Sequence, residues 1–182
     1  PMAEFAICGI LDLYKQSRFF WENQRAHQWK KHRGILELAK KRVCIVGTGD
    51  VGCQIAKRLK TFDCCITGVN RTPKQQEGFD CILPLSMLSA ACSDSDIVIL
   101  CIALTAETAA LVRSCIPTSM KTGSILVNLA RGGLVDTLAL TEALQNGKLS
   151  GAVLDVFEEE PLPKDSLLWD GENVILTPHN SF

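Results

Sequence analysis

From Arg42 onward, short runs of continuous apolar residues alternate with stretches of helical spacing, and few folds accommodate that alternation. Val43-Cys44-Ile45-Val46 is the first run, and Asp96-Ile97-Val98-Ile99-Leu100-Cys101-Ile102 is the longest. A strand without polar alternation is covered on both faces. The pattern predicts strands over 43–46, 65–69, 80–83, 96–102, 124–128, 151–155 and 173–176. It predicts helices over 51–59, 84–92, 106–121 and 136–146. Strands separated by helices imply a parallel sheet wound in both directions, an α/β architecture. Ahead of it, residues 2–31 read as one long helix. Phe5, Ile7, Ile10, Leu11, Tyr14, Phe19 and Phe20 cover most of its circumference, so burial on more than one side is expected, against a subunit or another domain.

The first strand runs into Gly47-Thr48-Gly49-Asp50-Val51-Gly52, which opens the first helix of the alternating region. A GxGxxG segment alone is a weak signal, but strand before and helix after is the context that holds a dinucleotide. Gly47 permits the turn, Gly49 lets a pyrophosphate approach the backbone, and Gly52 lets helix and strand pack closely. The N–H groups at the helix start, around Asp50 and Val51, then face the phosphates. A glycine-rich connection without a ligand is the alternative. The fold expected is thus a Rossmann-type doubly wound sheet, with residues 1–182 forming one dinucleotide-binding domain.

The end of the second strand is where such a fold meets the adenosine ribose. An acid there bonds the 2′-hydroxyl of NAD. This chain has Asn70-Arg71-Thr72-Pro73-Lys74 instead. Asn70 removes a charge that would repel a 2′-phosphate, and Arg71 offers a planar fork to its oxygens, with Thr72 as a further donor. NADP(H) is favoured over NAD(H). A solvated turn in which Arg71 only stacks on adenine, accepting either cofactor, is the other reading.

Three further motifs follow in order: Arg131 in Leu129-Ala130-Arg131-Gly132-Gly133, Glu160 in Asp155-Val156-Phe157-Glu158-Glu159-Glu160-Pro161-Leu162, and His179 in Thr177-Pro178-His179-Asn180. A cation, a carboxylate and an imidazole are the parts needed to reduce a 2-keto acid. Taken singly, each has a bland reading as a loop residue. Together they sit at strand carboxyl ends, where α/β folds bind ligands.

At this point the chain resembles the cofactor domain of the D-isomer-specific 2-hydroxyacid dehydrogenases. The resemblance spans nearly the whole length and includes Leu104-Thr105-Ala106-Glu107-Thr108 and Asn128-Leu129-Ala130-Arg131-Gly132-Gly133. It implies that Arg131 binds the substrate carboxylate and carbonyl oxygen, that His179 is the general acid–base, and that Glu160 pairs with it. It further implies that Asp155 lies near the nicotinamide carboxamide. Cys101, Ile102, Ala103, the Thr108 side chain, Leu129 and Ala130 would line the cofactor cleft. Ala103 departs from the proline usual in the family. The Asn70-Arg71 pair is similar to that of NADP-preferring glyoxylate and hydroxypyruvate reductases. Residues 1–33 would be the crossover helix, which in the family builds much of a homodimer interface.

The implied chemistry is coherent. Negative charge develops on the carbonyl oxygen during reduction, a fixed guanidinium stabilises it, and an imidazole beside a carboxylate supplies the proton. A second class of function shares the fold: dinucleotide-sensing corepressors, which bind cofactor without physiological turnover. Family members also carry a discontinuous substrate domain that this chain lacks. It reads as an excised domain, expected to bind cofactor but not to turn over alone.

Composition narrows the partners. With 19 basic and 20 acidic residues the net charge is −1, which leaves no footprint for nucleic acid or an anionic membrane. No apolar run reaches the roughly 20 residues of a bilayer span. Nine cysteines without a CxxC or His/Cys spacing point away from a metal site and towards a reducing, cytoplasmic setting. The partners expected are a small 2-keto or 2-hydroxy acid and a second copy of the chain.

Overall fold

The computed structural model describes residues 1–181. Seven parallel strands form one sheet in the order β3-β2-β1-β4-β5-β6-β7. They are β1 (Arg42–Val46), β2 (Cys65–Asn70), β3 (Cys81–Pro84), β4 (Ile97–Leu100), β5 (Ser124–Asn128), β6 (Leu149–Leu154) and β7 (Val174–Leu176). The order reverses between β1 and β4, so the crevice for a ligand opens at the carboxyl ends of those two strands. The expected doubly wound architecture is present, and the continuous apolar runs are its central strands.

Alternate residues of each strand feed two separate cores. On one face Val43, Ile45, Ile97, Ile99, Ile125, Val127 and Val153 pack beneath α1 (Met2–Lys15) and α3 (Asp50–Lys60). On the other, Cys44, Val46, Val98, Leu100, Leu126, Ala152 and Leu154 pack beneath α4 (Leu88–Ser93), α5 (Ala106–Cys115) and α6 (Thr137–Gln145). Helix starts follow local chemistry. The Thr105 hydroxyl accepts from the Thr108 N–H, and Asp136 accepts from the Ala139 N–H.

The single long helix expected over the first thirty-odd residues is not what forms. The helix breaks at Gln16, whose φ is 56°, into α1 and α2 (Ser17–Arg25), and residues beyond Ala26 are irregular up to β1. Gln16 closes α1: its backbone N–H reaches Asp12 and Leu13 carbonyls and its Nε2 donates to the Leu13 carbonyl at 2.8 Å. The two helices also differ in burial. α1 buries Ala3, Ala6, Ile7, Ile10 and Tyr14, whereas α2 buries no residue and leaves Trp21 exposed. The returning segment runs back along α1, with the Leu36 N–H donating to the Tyr14 carbonyl. Among the described residues no helix is long and apolar enough to cross a membrane.

Candidate active site

The glycine turn sits at the reversal point of the sheet. Gly47 has φ 102°, and a Cβ there would stand 2.6 Å from the Cys101 carbonyl oxygen, so both backbone shape and space demand glycine. A Cβ on Gly52 would stand 2.1 Å from the Gly47 carbonyl oxygen; its absence lets α3 start directly over the turn. Gly49 differs: nothing lies within 4 Å of an added Cβ. The space over Gly49 is open, and no side chain caps the α3 N-terminus beside it. A bare helix start under open space is what a pyrophosphate requires, so the residues fit a dinucleotide.

At the end of β2, Asn70 ties two parts of this site together. Its Oδ1 accepts from the Arg71 N–H at 2.9 Å, and its Nδ2 donates to the Thr48 hydroxyl at 2.7 Å. Arg71, Thr72 and Lys74 are exposed beside it. A second cleft wall lies over β1, β4 and β5, lined by Val51, Cys101, Ile102, Ala103, Leu129, Ala130 and Arg131. Burial pushes the Cys101 thiol up to about 12, so it is protonated at neutral pH. Thr108 belongs to the helix cap beside that wall. Its hydroxyl donates to the Ala103 carbonyl at 2.7 Å and accepts from the Thr105 N–H at 2.8 Å, shaping the 103–108 loop from behind.

Arg131 follows β5 and is exposed, with the peptide ahead of it braced by Asn128. The Asn128 carboxamide accepts from the Ala130 N–H and donates to the Arg131 carbonyl, both at 3.1 Å. Sequence reasoning passed over Asn128; its signal is a polar residue ending an apolar strand, 1% exposed.

Glu160 and His179 meet. His179 Nδ1 lies 2.8 Å from Glu160 Oε2, while Glu160 Oε1 accepts from the Phe157 N–H at 2.9 Å. The hydrogen bond to His179, then that from Phe157, holds the Glu160 carboxyl below the usual glutamate range. The ionised carboxylate only accepts, so Nδ1 carries the proton of that bond.

Asp155 supports the loop that carries His179. It is fully buried, and its carboxylate accepts from the Thr177 hydroxyl at 2.6 Å, the Asn180 N–H at 2.8 Å and the Ser181 N–H at 3.0 Å. Burial pushes its carboxyl up, but these hydrogen bonds outweigh burial and hold it below the usual range. The His179 N–H donates to the Asp155 carbonyl at 2.9 Å, and His179 itself has φ 54°. Arg131, Glu160 and His179 thus follow β5, β6 and β7, three adjacent strands, at one edge of the sheet.

Residues 7–181 match the family described as the D-isomer specific 2-hydroxyacid dehydrogenase, NAD binding domain. The chain is 41% identical over 164 residues to a glyoxylate reductase of Pyrococcus furiosus, covering 85% of this chain and 48% of that protein. A D-isomer specific 2-hydroxyacid dehydrogenase family protein of Aeromonas salmonicida superposes with a TM-score of 0.92 at 37% identity, over 99% of this chain and 58% of that one. A family member from Xanthobacter autotrophicus, solved in complex with NADPH and MES, gives 0.88 at 35% identity over 99% and 57%. The chain spans about half the length of these relatives. With a family match across nearly all of its length, a Rossmann-type sheet and an open glycine turn, the chain belongs to the D-isomer specific 2-hydroxyacid dehydrogenase family, as its NAD-binding domain.

Proposed function

We propose that the protein containing this chain reduces a small 2-keto acid to the 2-D-hydroxy acid, with NADPH preferred over NADH. The observation that carries the reading is the His179–Glu160 pair at 2.8 Å on the same sheet edge as Arg131. When bound, the nicotinamide supplies the hydride. The chain's own residues do the rest. The Arg131 guanidinium pairs with the substrate carboxylate and draws charge from the carbonyl oxygen as it becomes an alkoxide. Glu160 fixes the His179 ring through Nδ1, which assigns proton delivery to the alkoxide to Nε2. Asp155 holds the His179 turn in place, and its neighbourhood is where the family's nicotinamide carboxamide would lie.

The phosphate end of the cofactor is read by the other half of the site. The α3 N-terminus receives the pyrophosphate, and Arg71, with Thr72 beside it, receives a 2′-phosphate that Asn70 does not repel. Glyoxylate and hydroxypyruvate are the substrates to try first. The P. furiosus relative is named a glyoxylate reductase. A homodimer through the first helices belongs to the same reading, supported by α2, which buries nothing and leaves Phe20 and Trp21 exposed. A cofactor sensor without turnover has no need of the three reactive side chains.

The test is a titration of the full-length protein with NADPH and NADH by nicotinamide fluorescence, followed by turnover of glyoxylate and hydroxypyruvate. Tighter NADPH binding with turnover is expected. Equal or tighter NADH binding overturns the phosphate site, and cofactor binding without turnover of any 2-keto acid favours the sensor.

A further inference from the structure

Of the three loops that carry the reactive groups, those bearing Arg131 and Glu160 both lead to a residue in neither. The 131–136 segment carries Arg131 and ends on Asp136; the 155–160 segment carries Glu160 and contains Glu158. Arg113, on α5, reaches both. One guanidinium nitrogen, Nη2, lies 2.8 Å from Asp136 Oδ2, and the other, Nη1, bonds Glu158 Oε1. Each carboxylate is also anchored to α6. Asp136 Oδ1 accepts from the Ala139 N–H at 2.9 Å, and Glu158 Oε2 accepts from the Thr137 N–H at 2.8 Å.

A second observation shows that these loops touch where the reactive residues leave them. A Cβ on Gly132, the residue after Arg131, would stand 1.9 Å from the Phe157 carbonyl carbon and oxygen and 2.5 Å from the Glu158 nitrogen. The two backbones are therefore in direct contact, and a shift of one displaces the other. The Phe157 N–H is one of the two bonds that orient Glu160. From Arg113 the path is short: Glu158, then Phe157, then Glu160 and His179 on one side, and Asp136 with Gly132 and Arg131 on the other.

We propose that Arg113 is a positioning residue, which clamps the loop bearing Arg131 against the loop bearing Glu160 by pairing with Asp136 and Glu158 at once. It touches neither cofactor nor substrate. A planar fork with two well-separated nitrogens suits this role, because a point charge serves one carboxylate well and the other poorly. The inference rests on the proposed function for its catalytic consequence but not for its geometry.

The experiment compares full-length wild type, Arg113→Met, Arg113→Lys and Glu158→Gln. Arg113→Met is expected to lower kcat for keto-acid reduction about 10- to 100-fold and raise KM for the keto acid. The Kd for NADPH should stay within about twofold, because Arg113 lies outside the cofactor cleft. The hydrogen-bonded Nδ1 proton of His179, observed by NMR, should weaken or vanish in Arg113→Met and return in part in Arg113→Lys. A protein with kcat and that proton signal unchanged in Arg113→Met overturns the proposal, whatever its melting temperature. If Arg113→Met does not fold, Glu158→Gln decides by the same two readouts: loss supports the clamp and no change overturns it. Should the wild type reduce no 2-keto acid, the proposed function fails while the proton signal still decides the clamp.

Discussion

Glu160 accepts the Nδ1 proton of His179 across 2.8 Å, although the two residues lie 19 positions apart in the chain. The contact fixes both the tautomer and the plane of the ring. Glu160→Gln keeps the shape and removes the charge, leaving an acceptor too weak to stabilise the imidazolium. A fall in kcat of about 10²- to 10⁴-fold is expected, with cofactor affinity preserved. A pH profile of kcat in the full-length protein checks this; an unchanged profile would exclude Glu160 from proton transfer.

The glycine turn separates folding from binding. Gly52→Ala drives a methyl into the Gly47 carbonyl oxygen at 2.1 Å, so both the melting temperature and cofactor binding should fall. Gly49→Ala meets nothing within 4 Å and should melt within a few degrees of wild type. Its methyl enters the space assigned to the pyrophosphate, so NADPH affinity should drop about tenfold or more. Calorimetry of the two variants, with and without NADPH, distinguishes the effects. Full binding by Gly49→Ala would move the phosphate site elsewhere.

At the ribose end, Arg71→Ala should weaken NADPH binding about 10-fold or more and leave NADH within about twofold, as expected for loss of a charge-assisted phosphate contact. Asn70→Asp should also shift preference towards NADH, because a carboxylate there repels a 2′-phosphate. The ratio of the two dissociation constants is the measurement. A ratio unchanged in both variants means that the turn does not read the phosphate.

Most of the fold was legible. Continuous apolar runs such as 97–100 and 124–128 carry a strand signal strong enough to place all seven strands to within about two residues. The break at Gln16 was not legible, because periodicity averages over a turn and one left-handed residue leaves it intact. Arg131, Glu160 and His179 stand out in the sequence because their residue types carry the chemistry, and the structure brings Glu160 and His179 into contact. Arg113 was missed because its meaning lies in partners 23 and 45 positions away, on other elements. The cap that Thr108 makes with Thr105 is a local feature, a threonine three residues after another at a helix start.

Acid stability should follow Asp155 and carboxylates like it. Hydrogen bonds hold the Asp155 carboxyl below its ordinary value against the opposing effect of burial, and Lys60 does the same for Asp80. The unfolded chain therefore takes up protons first as pH falls. The stabilisation is fully present above about pH 4 and lost as pH drops through the lower folded values. Melting temperature should decline between about pH 4 and pH 2, and Asp155→Asn should flatten that decline while lowering the plateau. A flat profile in wild type would refute the assignment.

His179 occupies a backbone conformation, φ 54°, that glycine adopts freely and histidine does not. The three hydrogen bonds that Asp155 accepts hold the turn there regardless. Of two substitutions that both delete the ring, His179→Gly should therefore melt higher than His179→Ala, by about 1 kcal/mol of folding stability. The position is a point of conflict between folding and chemistry. A chain selected only to fold would place glycine here, and the imidazole stands at this site against the preference of its own backbone.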